Sequence, residues 1–155
     1  MKLDVGCGSR NFGDINCDLY VKDAGHRFKG ESIDPKKINN FVLCDAQYLP
    51  FRTGFFEEVI CSHVIEHVKN PYLLLDELMR VCKDNGLLRL SVPHRFSKGA
   101  KNRGHINFFT LKWFEKNLNY PFTVNTTTWS PFAFFLFFPN HLNFKIFKTK
   151  KRFNH

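Results

Sequence analysis

The stretch Leu3-Asp4-Val5-Gly6-Cys7-Gly8 decides the fold of this chain. It opens with a short apolar run that carries one acid, which is typical of a buried parallel strand. A Gly-x-Gly pair follows at once, and glycine permits the positive φ and the close backbone approach that a ligand-binding turn needs. The third glycine of a dinucleotide fingerprint is out of place, because Gly13 comes two residues late. The Gly-x-Gly pair therefore predicts a ligand-binding turn but does not identify the ligand.

Length and composition predict one globular domain. The chain has 155 residues, of which 43% are hydrophobic and 24% charged, enough for a substantial core. The first strand begins within two residues of Met1, so we expect no signal or transit peptide before it. The densest apolar run, Phe132 to Phe138, is too short for a transmembrane span. Five scattered cysteines without a Cys-x-x-Cys pair favour buried thiols in a reducing compartment, and we expect the cytoplasm.

Charge divides the domain into two unlike halves. Residues 1–93 hold 12 Lys/Arg and 13 Asp/Glu, whereas residues 94–155 hold 11 Lys/Arg and one acid. The second half also carries 13 of the 19 phenylalanines. We interpret residues 1–93 as a cofactor-binding half and residues 94–155 as a basic, Phe-rich half that meets the substrate or a partner.

The apolar pattern predicts an open α/β sheet. Strands are predicted at 2–5, 14–19, 40–44, 57–62 and 86–92, a helix over 71–83 that stops at Asn85-Gly86, and a helix capped by Thr110 that runs through Leu118. Two alternating segments, 122–129 and 142–147, predict a terminal antiparallel pair.

Polar residues follow the predicted strands at the edge where open α/β sheets bind ligands. Gly6 and Gly8 follow the first strand, Asp18 ends the second, Asp45 follows the third and Ser62-His63 ends the fourth. A carboxylate at the second strand can accept both hydroxyls of a ribose, and one at the third can accept from the amine of adenine. Each aspartate alone is explained as a turn residue, but together they favour an adenosine site.

Three motifs of the chain resemble a known family. They are Leu3–Gly8, Asp45-Ala46-Gln47-Tyr48-Leu49-Pro50-Phe51, and Cys61-Ser62-His63-Val64-Ile65-Glu66-His67. They look like class I S-adenosylmethionine-dependent methyltransferases of the type-11 kind, and the similarity runs from residue 2 to about 118. The resemblance implies a Rossmann-like open twisted sheet, mostly parallel with a terminal antiparallel strand pair and with helices on both faces. It implies S-adenosylmethionine as the cofactor and methyl transfer as the activity.

The resemblance also assigns binding roles by position. Gly6 and Gly8 would let the backbone approach the methionine and ribose, and Asp4 would orient that turn or the methionine amino group. Asp18 would take the ribose hydroxyls, Asp45 and the Ala46 amide would read the adenine, and Ser62 with His63 would close over the sulfonium. Only nine residues separate Gly8 from Asp18, so the family's helix after Gly-x-Gly is nearly absent. Asp34 is the alternative ribose ligand, and Asp18 is favoured because Ile15-Asn16-Cys17 predicts a strand.

Histidines are the candidates for a base that takes the acceptor's proton. We expect His67 or His94 to be this base or an acceptor anchor, with Arg95 and His105 contacting the acceptor. The pattern His-x-x-Glu-His also permits a metal site. Because Ser-His-x-x-Glu-His is common in the resembled family without metal, we expect no metal.

The acceptor stays open between RNA, protein, a small molecule and a lipid-like molecule. Clustered Lys and Arg in the second half favour nucleic acid, while the apolar segment 131–138 favours a homodimer, a partner or a lid. The alternative function is a nucleic-acid-binding or partner module with a vestigial cofactor site.

Overall fold

The computed structural model describes residues 1–21, 33–102, 104–127 and 141–149. The segment 131–138, singled out above as a partner surface, lies outside these ranges. The described α-helices and strands are, in chain order, β1 (Lys2–Val5), β2 (Ile15–Asp18), β3 (Phe41–Leu43), β4 (Phe56–Ser62), α1 (Pro71–Val81), β5 (Cys82–Pro93), α2 (Leu111–Asn117), β6 (Phe122–Thr127) and β7 (His141–Phe147).

The strands form one sheet in the order β3-β2-β1-β4-β5-β7-β6. The first five strands of this order are parallel, and β7 is antiparallel to both β5 and β6. The predicted Rossmann-like α/β fold, with its antiparallel terminal pair, is confirmed. Strand order reverses between β1 and β4, and open sheets of this kind bind ligands beyond the strand ends at such a reversal.

The core lies against one face of the sheet. Leu3, Val59, Leu88 and Ile146 are neighbours across β1, β4, β5 and β7, and all four are fully buried. The crossovers β4–α1–β5 and β5–α2–β6 run in the same direction along the sheet. Because such crossovers are right-handed, they place α1 and α2 on this same face. The ring of Phe114 in α2 packs 4.3 Å from that of Phe144 in β7.

The opposite face of the sheet is polar. One row of neighbouring residues across four strands shows this. It consists of Asp4 in β1, Ile60 in β4, Arg89 in β5 and Lys145 in β7. Ile60 is half-buried, and the two cations are exposed. Because α1 and α2 lie on the other face, a helix that covered this face would have to come from the connection after β1 or after β2. The first connection is a turn between Gly6 and Asp14, and half of the second lies outside the described residues.

The boundary between α1 and β5 differs from the prediction. The helix ends at Val81 and the strand begins at Cys82, instead of a helix to Lys83 and a strand from Gly86. Cys82 is buried and extended, with φ −70° and ψ 137°. A buried cysteine here satisfies the helical spacing of α1 and also the apolar run of β5, so periodicity alone misplaced the junction. Asn85, at φ 63°, turns the chain within β5 rather than before it.

The second helix matches its prediction. Thr110 is the N-cap of α2, and its hydroxyl accepts the backbone N–H of Trp113 at 3.3 Å. Among the described residues, no helix is both long enough and apolar enough to cross a membrane.

Candidate functional site

A cleft of about 910 Å³ opens at the carboxyl ends of β1, β2 and β4, where the strand order reverses. Its walls come from the turn after β1, the end of β2, residues 44–47, the segment after β4, and Gly99, Asn102, Gly104 and His105. Its volume lies in the upper part of the range typical of ligand sites, roughly 300–1,000 Å³. The cleft therefore has room for a nucleoside-sized ligand and part of a second molecule.

The two glycines of the first turn are needed for different reasons. Both have positive φ, 69° at Gly6 and 59° at Gly8. A Cβ at Gly6 would lie 2.1 Å from Cγ2 of Val64, whereas a Cβ at Gly8 would meet nothing within 4 Å. Gly6 thus permits packing under the turn, and Gly8 keeps the wall of the cleft open.

Asp18 ties the end of β2 to this turn. Its Oδ2 accepts the backbone N–H of Gly8 and its Oδ1 accepts that of Tyr20, each at 3.0 Å. An ionised carboxylate has about four acceptor positions, so its capacity exceeds these two hydrogen bonds. The alternative, Asp34, is exposed, caps the short helical turn Pro35–Lys37 and does not line the cleft.

Asp45 and Ala46 line the cleft beside the end of β3. The backbone N–H of Gln47 donates to Asp45 Oδ1 at 2.8 Å, and its side-chain amide lies 3.2 Å from both carboxylate oxygens. Gln47 also accepts the backbone N–H of Asn70 at 2.9 Å, just before α1. The loop after β3 is therefore held in place from both sides.

A second attachment joins this loop to α1. Arg80 donates to Glu77 Oε1 at 2.6 Å and to Oε2 at 2.8 Å, and it also donates to the carbonyls of Phe51 and Leu49. Glu77 Oε2 accepts the backbone N–H of Leu49 at 2.7 Å. The Arg80 hydrogen bonds hold the pKa of Glu77 below its ordinary value. Helix α1 thereby fixes the loop that carries Asp45.

Asp4 lies under the turn, not in the cleft wall. Its side chain is fully buried, and neither carboxylate oxygen has a hydrogen-bond partner among the described residues. Burial raises the pKa of Asp4 to about 6, although the nearby charge of Arg10 lowers it in part. This position fits the predicted role of orienting the turn better than a contact with a ligand.

Four histidines surround a buried glutamate on the far side of the cleft. His63, His67 and His105 line it, and so does Glu66, which the sequence offered only within the His-x-x-Glu-His pattern; His141, which sequence reasoning missed, lines it as well. Glu66 is fully buried and its Oε1 lies 3.3 Å from Nδ1 of His63. Ser62 also lines the cleft. His141 is 75 positions from Glu66, so only the antiparallel pairing of β7 with β5 brings it there.

Two predicted residues do not line the cleft. His94 is buried, and its ring packs against Phe96 with centroids 5.6 Å apart. Its position continues the alternation of Leu90 and Val92, whose side chains face the core, so His94 turns inward. Burial lowers the pKa of His94, and the neighbouring Arg95 adds to this effect. Arg95 itself is exposed beside Phe96.

Two thiols lie in the cleft wall near the ends of β2 and β3, and both were predicted only as buried residues. Cys17 and Cys44 both line it, and Cys44 is half-buried. A hydrogen bond from Cys17 lowers the pKa of Cys44, while the same bond and burial raise the pKa of Cys17. Cys44 is therefore the more reactive of the two.

A profile of the family described as "Methyltransferase domain" matches residues 3–90, which is more than half of the chain. The chain belongs to this methyltransferase domain family. The match covers β1 through most of β5 and includes Asp18, Asp45 and Glu66, so the resemblance found in the sequence is confirmed. The family implies S-adenosylmethionine as the cofactor.

Individual relatives agree with this membership. An uncharacterized methyltransferase of Mycobacterium leprae (strain Br4923) is 35% identical over a 100-residue alignment that covers 57% of this chain and 35% of that relative. A solved SAM-dependent methyltransferase of Thermotoga maritima, described as a possible histamine N-methyltransferase, has a TM-score of 0.72 at 16% identity, with 96% and 82% of the two chains covered. A methyltransferase solved in complex with the Trm112 activator of Haloferax volcanii has a TM-score of 0.66 at 13% identity, with the same coverage. The methyltransferase domain thus spans about a third of the length of the first curated relative.

Proposed function

We propose that this chain binds S-adenosylmethionine in the cleft and transfers its methyl group to an acceptor bound beside it. The observation that carries the proposal is the Asp18 carboxylate, which is fixed to the Gly8 amide at the reversal of strand order. A diol-binding carboxylate next to an open glycine wall suits a ribose, and Asp45 with Ala46 stands where an adenine would follow. The residues present therefore fit the cofactor that the family implies.

The cofactor, when bound, supplies a methyl group on a positively charged sulfur. This chain's own residues have to orient the acceptor, exclude water and remove a proton. Asp18 and Asp45 would hold the adenosine end, and Ser62 with His63 would border the reacting end. We propose that Nε2 of His63 takes the proton that the acceptor loses. Glu66 lies against Nδ1 of the same ring and can accept the Nδ1–H, which leaves the lone pair on Nε2. His67 and His105 would anchor the acceptor.

The rim of the cleft favours an acceptor with negative charge. Lys98 and Lys101 are exposed and adjoin Gly99 and Asn102, which line the cleft, and Arg95 is exposed on the same connection after β5. Nucleic acid remains the leading macromolecular candidate, and a small anionic molecule fits the same rim. A partner or second copy on segment 131–138 also remains a prediction. The five free thiols support the cytoplasm as the proposed compartment.

Calorimetry with S-adenosylhomocysteine tests the cofactor site. We expect binding by the full chain, and a loss of about 10- to 100-fold in affinity for Asp18→Ala, equivalent to one or two charged hydrogen bonds. Asp34→Asn is the matched control and should bind like the original chain. No binding by the original chain, or equal effects of the two substitutions, would contradict the proposal.

Labelled methyl transfer tests the activity. Radioactive S-adenosylmethionine is added with the full chain to host extract, which is then separated into RNA, protein, lipid and small molecules. We expect label in one fraction, and less with Asp18→Ala. If no fraction is labelled while salt-dependent RNA binding survives Asp18→Ala, the chain is instead a nucleic-acid-binding module with a vestigial cofactor site.

A further inference from the structure

Two segments that are far apart in sequence are joined at the far side of the cleft. The carbonyl of Glu66 accepts the backbone N–H groups of Ile106 at 2.9 Å and Asn107 at 3.1 Å. The side-chain amide of Asn107 donates to the carbonyls of Ile65 at 3.3 Å and Val68 at 2.7 Å. These four hydrogen bonds fix residues 65–68 against residues 104–107. Side chains carried by the two segments therefore have a defined relative position.

Two histidines on these segments have the same orientation. His67 Nδ1 lies 3.0 Å from the carbonyl of Gly104, and His105 Nδ1 lies 3.2 Å from that of Ala100. A carbonyl only accepts hydrogen bonds, so each Nδ1 carries the proton and each Nε2 carries the lone pair. The two rings meet edge to face with centroids 4.6 Å apart. Metal-binding histidines are oriented by the same kind of Nδ1 contact with a carbonyl.

Glu66 supplies a buried carboxylate close to both. The side chain is fully buried, and its Oε2 has no hydrogen-bond partner among the described residues. A buried carboxylate oxygen without a donor or a cation is costly. One ligand atom from each of Glu66, His67 and His105 lies within 4.8 Å of the others. Ligands of one zinc ion, at bond lengths of about 2.0–2.1 Å, lie roughly 3.4 Å apart, so a modest rotation of the side chains closes the site.

We propose that Glu66, His67 and His105 bind one divalent transition-metal ion at the acceptor end of the cleft. Two imidazoles and one carboxylate suit zinc or ferrous iron, and three protein ligands leave a coordination position open, as in catalytic rather than structural sites. The open position faces a cleft large enough for an acceptor. This inference reverses the sequence-based expectation of no metal. It does not depend on cofactor binding, which takes place at the Asp18 end.

Metal titration of the full chain, freed of metal by chelation and without a polyhistidine tag, tests the site. Zn²⁺ binding is followed by calorimetry, and Co²⁺ binding by its visible absorption, which reports coordination geometry. We expect one ion per chain, and at least tenfold weaker binding for His105→Ala. His141→Gln is the matched control, since His141 lines the same cleft outside the three ligands, and it should keep full affinity.

The half-buried His105 is the primary variant because its ring takes no part in the four hydrogen bonds that fix residues 104–107 against residues 65–68. Glu66→Gln is the second variant, and circular dichroism without metal verifies that both fold. Asp18→Ala should bind metal normally even if cofactor binding fails, which separates this inference from the proposed function. Absence of stoichiometric binding, an unchanged affinity in folded His105→Ala, or an equal loss in His141→Gln would overturn it.

Discussion

The guanidinium of Arg80 donates hydrogen bonds to both carboxylate oxygens of Glu77, at 2.6 and 2.8 Å. It also donates to two backbone carbonyls of the loop after β3. Both partners lie in α1, one turn apart. The pair is therefore a pre-formed fork on the helix surface, and the loop that carries Asp45 docks onto it. Adenine recognition, in the proposed function, depends on a helix that does not itself line the cleft.

Replacement of Arg80 by lysine should loosen this loop. Lysine keeps the charge but cannot make the forked contacts, so we expect a loss of about 1–3 kcal/mol in the free energy of unfolding. Affinity for S-adenosylhomocysteine should fall as well. Urea denaturation and calorimetry measure the two effects. Arg89→Lys is the control, because its pair with Glu58 is on the exposed face and should change stability by less than about 1 kcal/mol.

Alanine at Gly6 should be destabilising for a steric reason that a second substitution removes. The new methyl would meet Cγ2 of Val64, and this overpacking adds about 1–3 kcal/mol to the strain of positive φ. In a Val64→Ala background only the backbone strain should remain. Gly8→Ala, which meets no atom, should show that strain alone. A double-mutant cycle by urea denaturation measures the coupling, and a coupling of zero would contradict the predicted contact.

Asn at position 4 should stabilise the chain at neutral pH. The folded pKa of Asp4, about 6, lies above its unfolded value of 3.8, so the folded state binds more protons between these values. Stability therefore falls as pH rises through this window, by up to about 3 kcal/mol. Asp4→Asn removes that loss, so its gain should be largest above pH 6 and disappear below pH 4. Unfolding at several pH values, with exposed Asp76→Asn as the control, tests this; a gain independent of pH would refute it.

Cys44 should be alkylated before the other described thiols. The Cys17 hydrogen bond favours its thiolate, whereas burial raises the pKa of Cys61. Because Cys44 lines the adenosine side, S-adenosylhomocysteine should slow its reaction with iodoacetamide. Mass spectrometry of peptides gives the rate at each cysteine. Equal rates with and without the ligand would place cofactor binding elsewhere.

The strands near the site could be predicted from sequence because each is a short apolar run that ends in a polar residue. Asp18 and Asp45 were found in this way, and the structure places both in the cleft wall. The prediction that His94 belongs to the site was based on its position near a strand end. It ignored that Leu90, Val92 and His94 alternate along the strand and share one face. That alternation was visible in the sequence and would have predicted a core-facing side chain for His94.

The acceptor side was harder to predict because it is assembled from distant segments. Glu66 joins residues 104–107 through its carbonyl, a contact between elements about 40 positions apart that no local pattern encodes. His141 reaches the same place through the register of β7 on β5. The predicted junction between α1 and β5 was wrong for the opposite reason, since Cys82 fits both the helical spacing of α1 and the apolar run of β5. Local pattern thus gave Asp18, Asp45 and three of the histidines as candidates, and only the tertiary structure shows that His141 lines the same cleft.

The turn between Gly6 and Asp14 has an electrostatic consequence. In nucleotide-binding sheets the corresponding turn opens a helix, whose N-terminal dipole attracts phosphate. Residues 9–14 form no helix here, so that attraction is missing, while Asp18 and Asp45 border the same space. Arg10 is the cation that this turn itself adds to the cleft. The site should therefore reject ATP and dinucleotides and accept an adenosyl ligand without phosphate.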